Sequence, residues 1–408
     1  MTGGKCLIFS NYPLNASDGG PSGFLAQNLR GWEGAHWKLG GCNVDSFHHE
    51  RRFLGIHHRM RAAEAVYAMR GTGLPRRSWF FDQVVQARRA FRGAQAGEYG
   101  SLWFHDVYTA FACKDLIHPE QYVILQSHSP ELPSQDARTF GAKDDAVTWM
   151  EKAEAFAFQR ANEVVLPNLH TREIYDPILK PNCRLTCLMS GCAEVQPRFV
   201  LPLDPACRYF LYLGRRHQIK GYDLIFKAFQ SAYRSDPSIR LVLVGRGEKV
   251  ECPGVIDVGF SSEAAAWMAS CDYMVSANRQ SYFDLSLMEA LSAGTPLIVC
   301  CTGGHRMFLE QEYPGILALA GNDSESLSRA MLASKRSRSE NADAVVANRR
   351  LYEEYFSSAH YRKRIDDFLA ARAGGENASE ESLEECAATT KLKASEVSPR
   401  AVLSRDQR

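Results

Sequence analysis

No apolar run in this chain is long enough to cross a bilayer. The nearest candidate, Pro296-Leu297-Ile298-Val299-Cys300-Cys301, is strand-sized, whereas a spanning helix needs about 20 apolar residues. The opening Lys5-Cys6-Leu7-Ile8-Phe9 lacks the longer apolar region and cleavage site of a secretion signal, so a cytoplasmic protein is expected. An excess of one charge is missing too. Lysine and arginine number 48 against 47 acids, a formal net charge of +1, which excludes a chain-wide attraction for nucleic acid. No nucleic-acid-binding motif is recognisable, and no such partner is expected. The 12 cysteines contain no C-x-x-C pair. Cys183, Cys187 and Cys192 cluster around a strand signal with no histidine nearby to complete a zinc set, so reduced, mostly buried thiols are expected.

What is present points to two α/β units. A chain of 408 residues exceeds what one hydrophobic core supports, and its apolar (45%) and charged (23%) fractions suit a globular protein. Strand-like runs at Cys6–Phe9, Leu102–Phe104, Tyr122–Leu125, Glu163–Leu166 and Arg184–Met189 alternate with helical patterns such as Ala146–Arg160. A second series follows at Tyr209–Leu213, Arg240–Val244, Val255–Val258, Tyr273–Ser276 and Pro296–Val299, with a helix over Tyr222–Tyr233. Such alternation predicts parallel sheets wrapped by helices. Between Val195 and Pro205, Pro197, Pro202 and Pro205 cannot continue a helix or a central strand, so the stretch reads as a linker. The expected partition is two Rossmann-like domains over 1–198 and 199–347, a helix crossing back over 348–372, and a tail over 373–408. Few large apolar residues remain in that tail to offset the cost of ordering it, so it is expected to be disordered.

The densest constellation lies in the second unit. Gly214-Arg215-Arg216-His217-Gln218-Ile219-Lys220-Gly221 follows a strand signal and precedes an amphipathic helix. A strand-to-helix turn is where a parallel sheet binds ligands, and a helix start favours phosphate. The Arg215 fork and the Lys220 point charge together suit a diphosphate. Further along, Ser281-Tyr282-Phe283-Asp284-Leu285 leads into a helix over Asp284–Ala293, ended by Gly294 and Pro296. Glu289 falls on its second turn, where a carboxylate can accept from two neighbouring hydroxyls such as those of a ribose. Asp284 reads equally as a plain helix cap.

These blocks resemble the retaining GT-B glycosyltransferases of family 4 (glycosyl transferases group 1), a family that includes sucrose synthases and bacterial mannosyl- and glucosyltransferases. The matching pieces are G-R-x4-K-G at Gly214–Gly221, L-V-G-x-G ending in Gly245 and Gly247, E-A-L-S-A-G-T-P at Glu289–Pro296, and Gly303-Gly304. Four blocks in order are specific where one would not be. The resemblance implies a nucleotide-diphosphate-sugar donor (UDP- or GDP-linked) bound by the C-terminal domain through Arg215, Lys220, Gly245, Ser281, Phe283, Asp284, Leu285 and Glu289. It implies an acceptor domain at the N-terminus, a glycan or lipid-linked acceptor, and a reaction needing neither metal nor cofactor. One departure stands out. The family carries two glutamates with seven residues between them, and the first falls on Ser281, which can bond a sugar hydroxyl but cannot stabilise positive charge.

In the first unit, Asp18-Gly19-Gly20-Pro21 follows the first strand, and its glycines would let backbone approach an anion. The resemblance places Gly19 and Gly20 against the donor phosphates. His128 and His105 each follow a strand signal, and strand carboxyl ends point into the cleft. His128 matches the family histidine near the transferred sugar, so His128, Arg215 and Lys220 are the expected catalytic residues. His48-His49 and His57-His58 are paired neighbours that point opposite ways, so no metal cluster is expected. Arg51–Arg92 holds ten arginines and no lysine against Glu64 and Asp82, a local charge of +8 with aromatics interleaved. It reads as a contact for an anionic membrane or acceptor, or equally as a solvated helix face. The rival functions are a nucleotide-sugar epimerase or hydrolase on this architecture and a non-catalytic partner subunit that binds nucleotide sugar.

Overall fold

Continuous apolar runs become strands buried on both faces, as parallel sheets covered by helices require. The computed structural model describes residues 5–12, 14–15, 20–41, 54–73 and 80–373. The first sheet contains β1 (Cys6–Ser10), β2 (Trp37–Gly41), β3 (Ser101–Phe104), β4 (Tyr122–Leu125), β5 (Glu163–Leu166) and β6 (Arg184–Cys187) in the order β2-β1-β3-β4-β5-β6. The second contains β7 (Arg208–Leu213), β8 (Ile239–Val244), β9 (Val255–Gly259), β10 (Tyr273–Ser276), β11 (Leu297–Cys300) and β12 (Ile316–Leu319) in the order β12-β11-β10-β7-β8-β9. Every pairing within the sheets is parallel. Two strands escape the sequence reading. β2 ends in Gly40-Gly41, which carries no strand signal, and the Ile-Leu-Ala-Leu of β12 reads as readily as helix.

The first half carries helices α1 (Gly20–Asn28), α2 (Leu54–Thr72), α3 (Phe80–Gly93), α4 (Val107–Ala112), α5 (Pro133–Thr139), α6 (Asp144–Arg160) and α7 (Arg172–Tyr175). The second carries α8 (Tyr222–Ser235), α9 (Ala264–Ser270), α10 (Leu285–Ser292) and α11 (Ser324–Ala333), followed by α12 (Ala342–Leu351) and α13 (Ser358–Ala373). Side chains from both halves join one apolar cluster, to which Phe283 and Phe356 contribute alongside Tyr175 and Met189.

The single helix expected near Asn348–Leu369 is instead two. A π turn over Tyr352–Phe356 ends α12, and Ser357 is extended. There the Cys192 amide donates to the Phe356 carbonyl (2.8 Å) and the Ser358 amide to the Cys192 carbonyl (2.9 Å). A strand-like bridge to the interdomain segment thus interrupts the helical ladder. Beyond it, α13 lies on the first half: Ser358 Oγ donates to the Gln27 carbonyl, Arg362 to the Asn28 carbonyl, and the His36 amide to Asp366.

The basic stretch is partly consumed inside the fold. Arg88 is 1% exposed and paired with Glu64 and Asp115, over the face of Tyr67, while Arg92 also reaches Glu64. α2 and α3 pack together and bury this cluster, so Arg88 belongs to neither a solvated nor a membrane-facing stripe. Among the described residues no helix is long and apolar enough to cross a membrane. Nine described cysteines are free thiols, whereas Cys187 is disulfide-bonded, against the expectation of reduced thiols.

Candidate functional site

In an open parallel sheet, ligands bind beyond the strand carboxyl ends at the point where strand order reverses. Those points fall between β1 and β3 in the first sheet and between β7 and β10 in the second. Arg215 to Lys220 leave β7, Ala277 to Asp284 leave β10, and His105 and His128 follow β3 and β4. The chain order of the strands therefore brings these segments to one interdomain gap.

The β7 exit is fixed by backbone. Gly245 has φ 138°, and a Cβ there would meet the Gly214 carbonyl oxygen at 1.9 Å, so its bare Cα lets the β8 exit touch the β7 exit. Gly221 has φ 62°, and its Cβ would lie 1.8 Å from the Ala277 carbonyl oxygen, which locks the β7 exit onto the β10 exit. Gly221→Ala is expected to cost about 2 kcal/mol or more, combining left-handed strain with the clash. A melting midpoint equal to that of the parent chain would show that the two exits can separate freely.

Neighbouring arginines divide their work. Arg216 is turned into the fold, its side chain 3% exposed, holding Asp257 with two guanidinium nitrogens. Arg215 is exposed, and its guanidinium carbon sits 4.4 Å above the Phe140 ring of the first half. Lys220 Nζ donates to Asp284 Oδ1 at 2.8 Å. Burial pushes the Asp284 carboxyl up, but Lys220 above all, with a hydrogen bond from Asn278, holds it below its ordinary range. Facing them, burial and Glu131 push Asp136 of α5 up to about 6 against the pull of Arg215 and Lys220.

Glu289 lies on the second turn of α10 and accepts from Gln27 Nε2 of α1 (2.8 Å). Burial pushes its carboxyl up, opposed by that hydrogen bond. Across the gap, His128 Nε2 is 2.8 Å from His105 Nδ1. His128 packs on Phe24 of α1 and on Tyr282 of the second half, with ring centroids at 4.7 and 5.6 Å. Burial pulls His128 down to about 3 and, with help from His128, His105 well below its usual value. Both rings are neutral at pH 7, so one donates to the other and neither brings a charge.

Arg215, Lys220, Asp284, Glu289 and His128 therefore gather at the gap. Leu285 opens α10 beside them, Gly245 supports the turn from behind, and Gly20 opens α1 at φ 54° with nothing within 4 Å of its Cβ position. Gly19 lies outside the described residues. Two expected contacts are turned away. Ser281 is 0% exposed, and its hydroxyl lies 3.1 Å from both Thr302 Oγ1 and His305 Nδ1, so its bonding capacity is engaged within the fold. The Phe283 ring stacks on Phe356 at 5.5 Å inside the core. Reasoning from sequence missed His305, Asn278, Asp136, Phe140 and Gln27. Only His305 carried a signal, its place directly after Gly303-Gly304. There it accepts from the Asp284 amide (3.3 Å) through Nε2. Among the described residues no group of three or more His, Cys, Asp or Glu could hold a metal.

Two facing parallel sheets with this site between them constitute a GT-B fold. A sucrose-phosphate synthase from Thermosynechococcus elongatus superposes with a TM-score of 0.65 at 16% identity, covering 91% of this chain and 100% of that one. HepE from Anabaena, solved with UDP-glucose, superposes with a TM-score of 0.61 at 13% identity, covering 90% and 99%. In sequence, residues 207–334 match the family described as glycosyl transferases group 1. A D-inositol 3-phosphate glycosyltransferase of Frankia alni is 27% identical over 182 residues, 38% of this chain and 44% of that protein. The lipopolysaccharide core biosynthesis mannosyltransferase LpsB of Rhizobium meliloti is 22% identical over 262 residues, 60% and 70%. The alignments to the two inositol-phosphate glycosyltransferases span 30% and 44% of those proteins' length.

Proposed function

We propose that this chain is a glycosyltransferase that moves a hexose from a UDP- or GDP-linked donor to a hydroxyl of a glycan or lipid-linked acceptor, with retention at the anomeric carbon. One observation carries the reading: Arg215 and Lys220 leave the same strand end of the half that also carries Glu289, Arg215 and Glu289 each touch the first half through Phe140 and Gln27, and the neutral imidazole of His128 belongs to that first half. Two cations at a strand-to-helix turn supply what a departing diphosphate needs, since charge builds on its oxygens as the sugar leaves. In the reaction the bond from the hexose anomeric carbon to the diphosphate oxygen breaks. The acceptor oxygen bonds that carbon, and the acceptor proton leaves with the diphosphate. Glu289 would exchange Gln27 for the ribose diol. His128, neutral, would hydrogen-bond a hydroxyl of the sugar. The match of residues 207–334 to glycosyl transferases group 1 supports the reaction class; retention rests on the resemblance of the sequence blocks.

The test is a melting-temperature screen of the whole chain against UDP, GDP and their sugar esters. One base series is expected to raise the midpoint, and Arg215→Ala to abolish the rise. A rise that survives in Arg215→Ala, or none with any nucleotide, would remove the donor site from this gap. Release of the nucleoside diphosphate only when an acceptor is supplied, with the sugar recovered on that acceptor, separates transfer from hydrolysis and from mere binding.

A further inference from the structure

Asp284 occupies the position before α10 where an aspartate ordinarily caps the helix, yet its side chain makes no cap hydrogen bond. Asp106, Asn168 and Asp323 in the same chain all do cap, through Thr109, His170 and Ser326. The Asp284 carboxylate has been diverted: Oδ1 takes Lys220 Nζ at 2.8 Å, and Oδ2 accepts from Asn278. Its own amide goes to His305 Nε2. A carboxylate held from behind by Asn278 and half buried is a built counter-ion for Lys220 rather than a passing surface pair.

From this geometry we propose that Asp284 competes with the donor diphosphate for Lys220, weakening retention of the released nucleoside diphosphate and so speeding product departure. The proposal rests on the donor-site reading above. The chemistry gives it a direction. Before transfer, the outer phosphate is esterified to the sugar. After the anomeric bond breaks, that phosphate gains an ionisable oxygen, so the product carries up to one more negative charge than the donor. A fixed carboxylate beside the shared lysine therefore opposes the product more than the donor. Asp136, whose carboxyl lies within the electrostatic reach of both cations from the first half, acts in the same sense.

The experiment is calorimetric titration of the full chain and of Asp284→Asn with the nucleoside diphosphate and with its sugar ester, using the base that the melting screen selects. Asn keeps the shape and can still accept from Asn278. Asp284→Ser serves as a second variant should the first fold poorly. The variants are expected to bind the free diphosphate roughly threefold to tenfold more tightly, to change less toward the sugar ester, and to show deeper product inhibition. Equal or weaker binding of the diphosphate by both variants would overturn the proposal and make Asp284 a positioning residue for Lys220. If the parent chain itself binds no nucleotide, the donor-site reading fails first, a result distinct from a parent that binds and variants that do not tighten.

Discussion

Replacing Arg372 by alanine is expected to destabilise the first half of the protein by about 3–5 kcal/mol, the range for removing one partner of a buried ion pair. Glu163 opens β5, which lies between β4 and β6, and is 0% exposed. Arg372, near the end of α13 and 9% exposed, reaches its Oε1 at 2.5 Å. Tyr122 donates to Oε2 at 3.0 Å, Arg372 also donates to the Tyr122 hydroxyl at 2.8 Å, and Thr186 donates to Oε1. Without the guanidinium the carboxylate would stay buried with only neutral donors. Burial already pushes Glu163 upward against the opposing pull of Arg372, and the variant would lose that pull. A paired Glu163→Gln, Arg372→Met variant should recover most of the loss, because neutral groups of like volume remove the unpaired charge. Urea unfolding of the parent chain and the two variants reads this out. A loss under about 1 kcal/mol for Arg372→Ala would mean that α13 contributes little to this half. The interest goes beyond stability, because α13 follows the second half in sequence and packs on the first.

Lys220→Ala is expected to lower the turnover of sugar transfer by roughly 10²–10³-fold, the range for loss of one preorganised charge partner of the leaving oxygens. Lys220 lies at the end of the 3₁₀ turn Gln218–Lys220, whose backbone is pinned by His217 and Gly221. Its ammonium is held by Asp284 Oδ1 at 2.8 Å. Lys227→Ala, at an exposed position on α8, should stay within about threefold of the parent and controls for net charge. Initial rates of nucleoside diphosphate release with acceptor present measure both. Should Lys220→Ala also stay within that margin, the cation would not act on the departing group.

The elements legible in the sequence are those where local pattern and tertiary role agree. β1, β4, β5 and β10 are apolar runs between turn residues, and a parallel strand buried on both faces needs that composition. α10 was readable from Gly294 and Pro296 at its end. β2 and β12 were not, because each owes its conformation to the neighbouring strand that it pairs with, β1 and β11 respectively. The break at Ser357 was invisible for the same reason: its cause is Cys192, 165 residues away in sequence (357 against 192).

For the site, the sequence alone determined which residue types stand at the strand exits: two cations after β7, an acid on the second turn of α10, and a histidine after β4. Spacing along one chain is enough for that, since a strand-to-helix turn must lie at a sheet's carboxyl edge. Only the tertiary structure decided what those groups face. Ser281 and Phe283 turn inward because His305, Thr302 and Phe356 fill the space beside them. Asp284 leaves its capping role because Lys220 from another strand exit is within reach. Side-chain direction and charge pairing are settled by neighbours distant in sequence, and a linear pattern of residue types carries no record of them.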